Sequence, residues 1–331
     1  MKVAVLGGGA WGTVLADLLA RKGDAVVLWA REPEVVAAIN RDHVNPVFLP
    51  DAALAPALVA ESDVRRAVKG AELVVSAAPS FAVRAVMSQA AAAFNGRPLV
   101  VSVSKGLEDD LKTMSTVLGE VLDPGIPVCV LSGPSFAREV HQRQPTAVVA
   151  AARDEDVARR AQRAFASGHF RVYSHTDVVG VELGGALKNV IAVAAGILEG
   201  LGLGHNPRAA LITRGLAEIT RLGVRLGADP LTFAGLAGMG DLILTATGGL
   251  SRNRSLGVEL GQGKSPEQAL AGKKSVAEGV TTARTAVALG ERHGVELPIA
   301  RQVADILFKG KSPAQAVTEL MERDLKTEQW R

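Results

Sequence analysis

Residues 181–191 read Val-Glu-Leu-Gly-Gly-Ala-Leu-Lys-Asn-Val-Ile. On a helix, Val181, Gly184, Gly185 and Lys188 share one face, at spacings of three, four and seven. The small residues of that face leave a shallow groove with one ammonium at its end. A lysine in such apolar surroundings has its pKa lowered by burial. An amine that titrates closer to neutrality can pass a proton to or from a reacting oxygen. The same pattern also describes a helix-packing face with Lys188 at its rim, snorkelling to water. At this stage both readings stand.

A second cluster concerns binding. Gly7-Gly8-Gly9-Ala10-Trp11-Gly12 has the spacing G-x-G-x-x-G, after a strand-like segment and at the start of a helical one. Gly7 permits a tight turn, Gly9 lets the backbone approach a pyrophosphate, and Gly12 lets the helix pack close to the sheet. The helix start offers free N–H groups and a positive dipole end to phosphates. This context predicts a dinucleotide site of the Rossmann type. At the end of the second strand Arg31 precedes Glu32. A guanidinium there pairs with a 2′-phosphate and stacks on adenine, which favours NADP. Glu32 instead favours a free ribose hydroxyl, as in NAD sites. The expectation is NADPH preferred, with NADH accepted, and a solvated Arg–Glu pair as the plain alternative.

Polar residues also gather where a plain core would not need them. Ser102-Val103-Ser104-Lys105-Gly106-Leu107 and Leu131-Ser132-Gly133-Pro134-Ser135-Phe136-Ala137 each follow a strand-like run. Open α/β sheets place ligands at those strand ends. Gly238-Met239-Gly240-Asp241 leads to Gly248-Gly249-Leu250-Ser251-Arg252-Asn253-Arg254. A glycine-rich turn with Ser, Arg and Asn opening a helix is a phosphate cradle or an ordinary capped helix with solvated arginines.

These segments need elements to hold them. Short apolar runs predict strands over 2–6, 25–30, 73–77, 99–103, 128–131, 147–151 and 171–173. Helical stretches lie between them, at 11–22, 34–40, 81–92 and 154–166. This alternation implies a parallel sheet covered on both faces. Beyond Thr176-Asp177 helical periodicity takes over. It covers 178–201, 208–226, 231–236, 254–262, 265–270, 281–292, 299–308 and 312–321. The expected fold class is therefore α/β followed by all-α. Residues 1–178 form a dinucleotide-binding domain, and residues 179–331 a helical substrate-binding domain.

Composition narrows the class. The 331 residues are 48% hydrophobic and 21% charged, with a net charge of +3. That describes a globular chain and not a disordered one. No basic stripe or reading motif points to nucleic acid. The single cysteine, Cys129, lies in an apolar run and excludes an intrachain disulfide. No His/Cys/Asp cluster has metal-ligand spacing. The chain begins directly with a strand, which leaves no room for a signal peptide. No apolar stretch of about 20 residues is free of Gly, Lys or Asn. The expected location is the cytoplasm, with no membrane partner.

Taken together, Gly7–Gly12, Ser104–Leu107, Ser132–Ala137, Leu187-Lys188-Asn189, Ser251-Arg252-Asn253 and Val276–Val280 resemble, in order, the bacterial NAD(P)-dependent glycerol-3-phosphate dehydrogenases. The resemblance covers nearly the whole chain. It implies an active site in the cleft between the two domains, where dihydroxyacetone phosphate and sn-glycerol 3-phosphate are interconverted. Lys188 matches the family's proton acceptor. Lys105, Gly133, Ser135, Asp241, Ser251, Arg252 and Asn253 match its substrate-binding positions. Trp11, Arg31, Lys105, Ala137, Arg252, Val276 and Glu278 match its cofactor-binding positions. Lys105 and Asp241 are expected to act on Lys188 in opposite directions. Lys105 lowers its pKa by like charge, and Asp241 raises it. The family also implies a homodimer and a role in supplying phospholipid synthesis. Ala10 stands where many relatives have serine, so a hydroxyl contact to the pyrophosphate is lost. The alternatives are a related two-domain dehydrogenase of a hydroxy acid or sugar-acid phosphate, and a non-catalytic NAD(P) sensor.

Overall fold

The computed structural model describes all residues except 109, 273–276, 326 and 329–331. Among the described residues eight strands are formed: β1 Lys2–Leu6, β2 Ala25–Trp29, β3 Val59–Glu61, β4 Leu73–Ser76, β5 Leu99–Ser102, β6 Val128–Ser132, β7 Thr146–Ala151 and β8 Phe170–His175. They lie in one sheet in the order β3-β2-β1-β4-β5-β6-β7-β8. The order reverses between β1 and β4, which opens a crevice at their carboxyl ends. Alternate side chains feed two cores. Leu73, Val75, Leu99 and Val101 pack with the helices Ala10–Arg21 and Glu155–Phe165. Val74 and Val100 pack with Val83–Ala91 and Met114–Val121 on the other face.

The sheet is not wholly parallel, as the βαβ alternation had implied. β7 runs antiparallel to β6, and β8 follows β7 in parallel. The reason lies in the connection. Its only helix, Ala137–His141, has five residues, a rise of about 7.5 Å. That is too short to return along a strand of about 17 Å. The chain therefore turns back at the same end of the sheet. The sequence reading also missed β3, a three-residue edge strand with exposed Val59. It passed over the helices Val64–Ala67, Met114–Val121, Ala137–His141 and Asp241–Thr247 as well. All five of these elements have eight residues or fewer, too few turns or alternations to set a period.

After β8, Asp177 caps the helix Val178–Gly200, accepting from the Gly180 N–H at 2.9 Å. Every residue from Gly180 to Leu198 in this long helix is buried. It is long and apolar enough to cross a membrane, yet 89% of its most apolar window is buried inside the protein. A helix that is apolar all round belongs in a core. His205–Arg225, Asp241–Thr247, Arg252–Gly261, Glu278–His293 and Pro298–Lys309 pack around it. Its approach to Arg252–Gly261 is backbone to backbone. A Cβ on Gly257 would lie 2.0 Å from the Val193 carbonyl oxygen.

Candidate active site

Lys188 lies at the centre of the long helix, 5% exposed. It does not snorkel. The glycine face beside it is filled: a Cβ on Gly184 would meet the Ala237 carbonyl at 2.6 Å, and one on Gly185 would meet Ser132 Oγ at 2.6 Å. The long helix is thereby pressed against the end of β6 and against the π-helical turn Leu236–Gly240. That turn runs into the helix Asp241–Thr247 and delivers Asp241 to Lys188.

Asp241 stands between two ammonium groups. Lys188 Nζ donates to its Oδ1 at 2.5 Å, and Lys105 Nζ donates to its Oδ2 at 2.7 Å. Lys105 also donates to the Gly133 carbonyl at 2.9 Å and to Ser135 Oγ at 3.4 Å. The structure thus brings together Lys188, Lys105, Asp241, Gly133 and Ser135 from four separate segments. The competition left open by the sequence is decided by burial. Desolvation lowers the Lys188 pKa to about 8, with Lys105 adding to the fall and Asp241 opposing it. Burial pushes Asp241 the other way, but the two ammoniums hold its carboxyl below the ordinary value.

Two residues without a role in the sequence reading complete the cluster. Thr245, one turn after Asp241, accepts from Lys188 Nζ at 2.7 Å and donates to the Asp241 carbonyl at 2.7 Å. The i, i+4 spacing of Asp241 and Thr245 was the available signal. Asn189 donates to the Lys105 carbonyl at 3.3 Å and accepts from Asn253 Nδ2 at 2.9 Å. Asn253 Oδ1 in turn accepts from the Gly279 N–H at 2.9 Å. Asn253 therefore ties three helices together. Arg252 beside it is exposed. Ser251 caps their helix, which begins at Arg252 and not at 254 as expected, and accepts from the Arg254 N–H. Glu278 opens the helix Glu278–His293. Its carboxyl is pushed up by burial, with the Arg252 charge opposing.

The glycine loop suits a dinucleotide phosphate. Gly7 has φ 138°, and a Cβ there would lie 2.5 Å from the Ala77 carbonyl oxygen. A Cβ on Gly9 would meet nothing within 4 Å, so that flank is open. Gly9 precedes the helix Ala10–Arg21, and no side chain caps its first N–H groups. A cradle of bare N–H groups at a helix start fits an anion. Buried Asn45 and Thr13 both donate to the Gly8 carbonyl, at 2.8 and 3.2 Å, and hold the loop's shape. No motif flagged Asn45, which is 37 residues away. Trp11 Nε1 is buried without a partner, and its ring lies 6.3 Å from Phe170. Gly12 crowds the Gly7 carbonyl, and Ala137 opens its short helix against the same core. Arg31, with an 82% exposed side chain, is paired with Glu32 at 2.8 Å. Val276 lies outside the described residues. Cys129 is buried in β6, and burial pushes its thiol up to about 12.

Residues 2–158 match the family described as NAD-dependent glycerol-3-phosphate dehydrogenase N-terminus, and residues 177–318 match the corresponding C-terminus. A Geobacter sulfurreducens protein named glycerol-3-phosphate dehydrogenase [NAD(P)+] is 55% identical over 99% of both chains. The crystal structure of the Coxiella burnetii glycerol-3-phosphate dehydrogenase superposes with a TM-score of 0.94 at 38% identity, covering 97% of this chain and 99% of that one. A ketopantoate reductase from Ralstonia eutropha, covering 96% of this chain and all of its own, shares the fold alone, with a TM-score of 0.60 at 18% identity. By sequence along its whole length and by fold, the chain belongs to the NAD-dependent glycerol-3-phosphate dehydrogenase family.

Proposed function

We propose that this chain reduces dihydroxyacetone phosphate to sn-glycerol 3-phosphate, reversibly, with Lys188 as the group that moves the proton. The observation that carries this reading is a buried lysine, its pKa lowered to about 8, held by Asp241 opposite Lys105. When bound, a nicotinamide dinucleotide supplies or accepts the hydride.

The chain's residues do the rest. At pH 7 a group with that pKa is roughly nine-tenths protonated. Lys188 can therefore donate to the carbonyl oxygen as it becomes an alkoxide. With both lysines charged, Lys105, Asp241 and Lys188 together carry one positive charge. Once Lys188 has given up its proton the trio is neutral, the state that burial favours. Lys105 stabilises the negative charge that develops on the oxygen. In the reverse direction the neutral amine of Lys188 accepts the proton. Arg252 and the capped helix start hold the substrate phosphate, with Ser251 and Asn253 fixing that start. Gly133 and Ser135 orient Lys105 through their oxygens. Gly7, Gly9, Ala10, Trp11 and Gly12 receive the cofactor's phosphates, Arg31 its adenosine end, and Ala137, Val276 and Glu278 its remaining length.

In this reading residues 1–178 bind the dinucleotide and residues 179–331 bind the substrate. NADPH is preferred and NADH accepted. The protein works as a cytoplasmic homodimer feeding phospholipid synthesis. Assaying the purified protein with dihydroxyacetone phosphate and either cofactor tests it. Absence of turnover with both, or equal turnover of a simple hydroxy acid, would reject it.

A further inference from the structure

The loop that carries Lys105 leaves the sheet at β5 but packs with the helices. It closes on itself through a bridge between Leu107 and Thr113 and then enters the helix Met114–Val121. Leu107 is buried, and Leu111 packs against the core that contains Leu183 and Leu187 of the long helix. Leu111 has φ 64°, a left-handed conformation that a branched aliphatic residue adopts only when its surroundings impose it. Both ends of the loop are bonded to the long helix. At one end Asn189 donates to the Lys105 carbonyl. At the other end Glu182 takes over. The Ser115 N–H donates to Glu182 Oε1 at 2.7 Å, and the Ser115 hydroxyl donates to Oε2. The Thr113 side chain and the Met114 amide face the same carboxylate. Glu182 is 8% exposed and forms no ion pair among the described residues. Burial pushes its carboxyl up, and the donors at the helix start, where a carboxylate is well placed, oppose that rise.

We propose that Glu182 is a positioning residue: it pins the Thr113–Ser115 end of the loop that bears Lys105 to the helix that bears Lys188, so that the two lysines are held as one rigid unit around Asp241. Glu182 precedes Lys188 by six residues, about 9 Å along the helix. It touches neither ammonium, so it acts through the loop. Lys188 itself is faced by Asp241, Lys105, Thr245 and Glu278. Loosening the loop alters the distance of Lys105 and lets water reach Lys188. The restored solvation moves the Lys188 titration toward the ordinary lysine range.

The inference rests on Lys188 being the proton carrier, and the test separates the two. Full-length Glu182→Ala, Glu182→Gln, Ser115→Ala and Lys188→Ala proteins are compared by pH profiles of kcat and by NADPH binding. Glu182→Ala is expected to lower kcat about ten- to a hundredfold and to shift the limb near 8 upward by about half a unit or more. The Kd for NADPH should stay within about twofold, because the end of the loop that lies beside Gly7 is held separately, by Ser104 donating to the Ala78 carbonyl at 2.6 Å. Glu182→Gln keeps an oxygen for the Ser115 N–H and an amide for its hydroxyl, and should restore both kcat and limb. Ser115→Ala should give a smaller shift of the same sign. A folded Glu182→Ala protein with wild-type kcat and limb overturns the proposal, as does parallel loss of kcat and cofactor affinity. If Glu182→Ala does not fold, Ser115→Ala decides, and an unmoved limb overturns it. Normal kcat in Lys188→Ala overturns the functional reading and this inference together. Loss there with no response to Glu182→Ala or Ser115→Ala overturns this inference alone.

Discussion

Lys188 is almost wholly shielded from water, and its proton equilibrium is set by its neighbours. Burial outweighs the adjacent Asp241 charge and leaves the titration near 8. The direction of the pH effect follows. Reduction needs the ammonium, so its kcat should fall as pH rises through about 8. Oxidation needs the amine, so its kcat should rise through the same range. Removing the group, as in Lys188→Ala, should lower kcat by roughly two to four orders of magnitude. Cofactor affinity, measured by fluorescence titration, should hardly change. Just after β2, Arg31 is already paired with Glu32. An exposed pair of this kind is weak, so a 2′-phosphate can compete for the guanidinium. Arg31→Ala should therefore cost NADPH about 1.5–3 kcal/mol of binding and NADH much less. Equal losses in the two kcat/KM values would assign Arg31 to stacking or packing instead.

The helix Arg252–Gly261 has a closely packed body and an open start. Its body is locked to the long helix by glycines, with no room for a methyl group at Gly257. Gly257→Ala should destabilise the protein by about 1–3 kcal/mol, the usual range for overpacking. Urea denaturation measures this, and an unchanged midpoint would mean that the two helices can separate freely. Its start presents exposed Arg252 beside the cap Ser251. If Arg252 grips the substrate phosphate, Arg252→Ala should raise KM for dihydroxyacetone phosphate strongly and lower kcat with it, because remote binding energy also orients the carbonyl. Dihydroxyacetone, which lacks the phosphate, is the control. Wild type should use it very poorly, and the substitution should barely worsen that rate. Equal damage to both substrates would make the residue structural.

At two distant places in the molecule a buried carboxylate, Glu182 or Glu218, accepts from the start of another helix. Glu218, 4% exposed, accepts from the Ile299 and Ala300 amides at 2.8 and 3.4 Å, and burial pushes its carboxyl up to about 7. A carboxyl raised in the folded state binds its proton more tightly there than in the unfolded chain. Its contribution to stability is therefore full below the unfolded value of 4.5 and is lost as pH rises to about 7. The loss amounts to about 3 kcal/mol at most. Glu218→Gln keeps one acceptor and cannot ionise. The stability of wild type relative to this variant should therefore decline between those two pH values and level off above. A difference that does not vary with pH would show that Glu218 is solvated.

Periodicity, caps and glycine spacing are local properties, and they determined much of this protein before any packing was known. β1 begins and ends where its apolar run does, and the long helix was legible from 178 to within a residue of its end. The glycine loop was legible because Gly7, Gly9 and Gly12 lie within six residues: Gly12 packs on the Gly7 carbonyl, Gly7 takes φ 138°, and Gly9 leaves its flank open. The tertiary structure decided what depends on residues far apart in the chain. The reversal of β7 followed from a helix too short to cross back, which composition does not reveal. The burial of Lys188 needed the turn Leu236–Gly240, β6 and the Lys105 loop to close around it. Asn45 and Glu182 carry no local pattern, since each acts on a segment tens of residues away. The balance between burial, Lys105 and Asp241 at one ammonium is a sum over distances and solvation, quantities that exist only once the chain has folded.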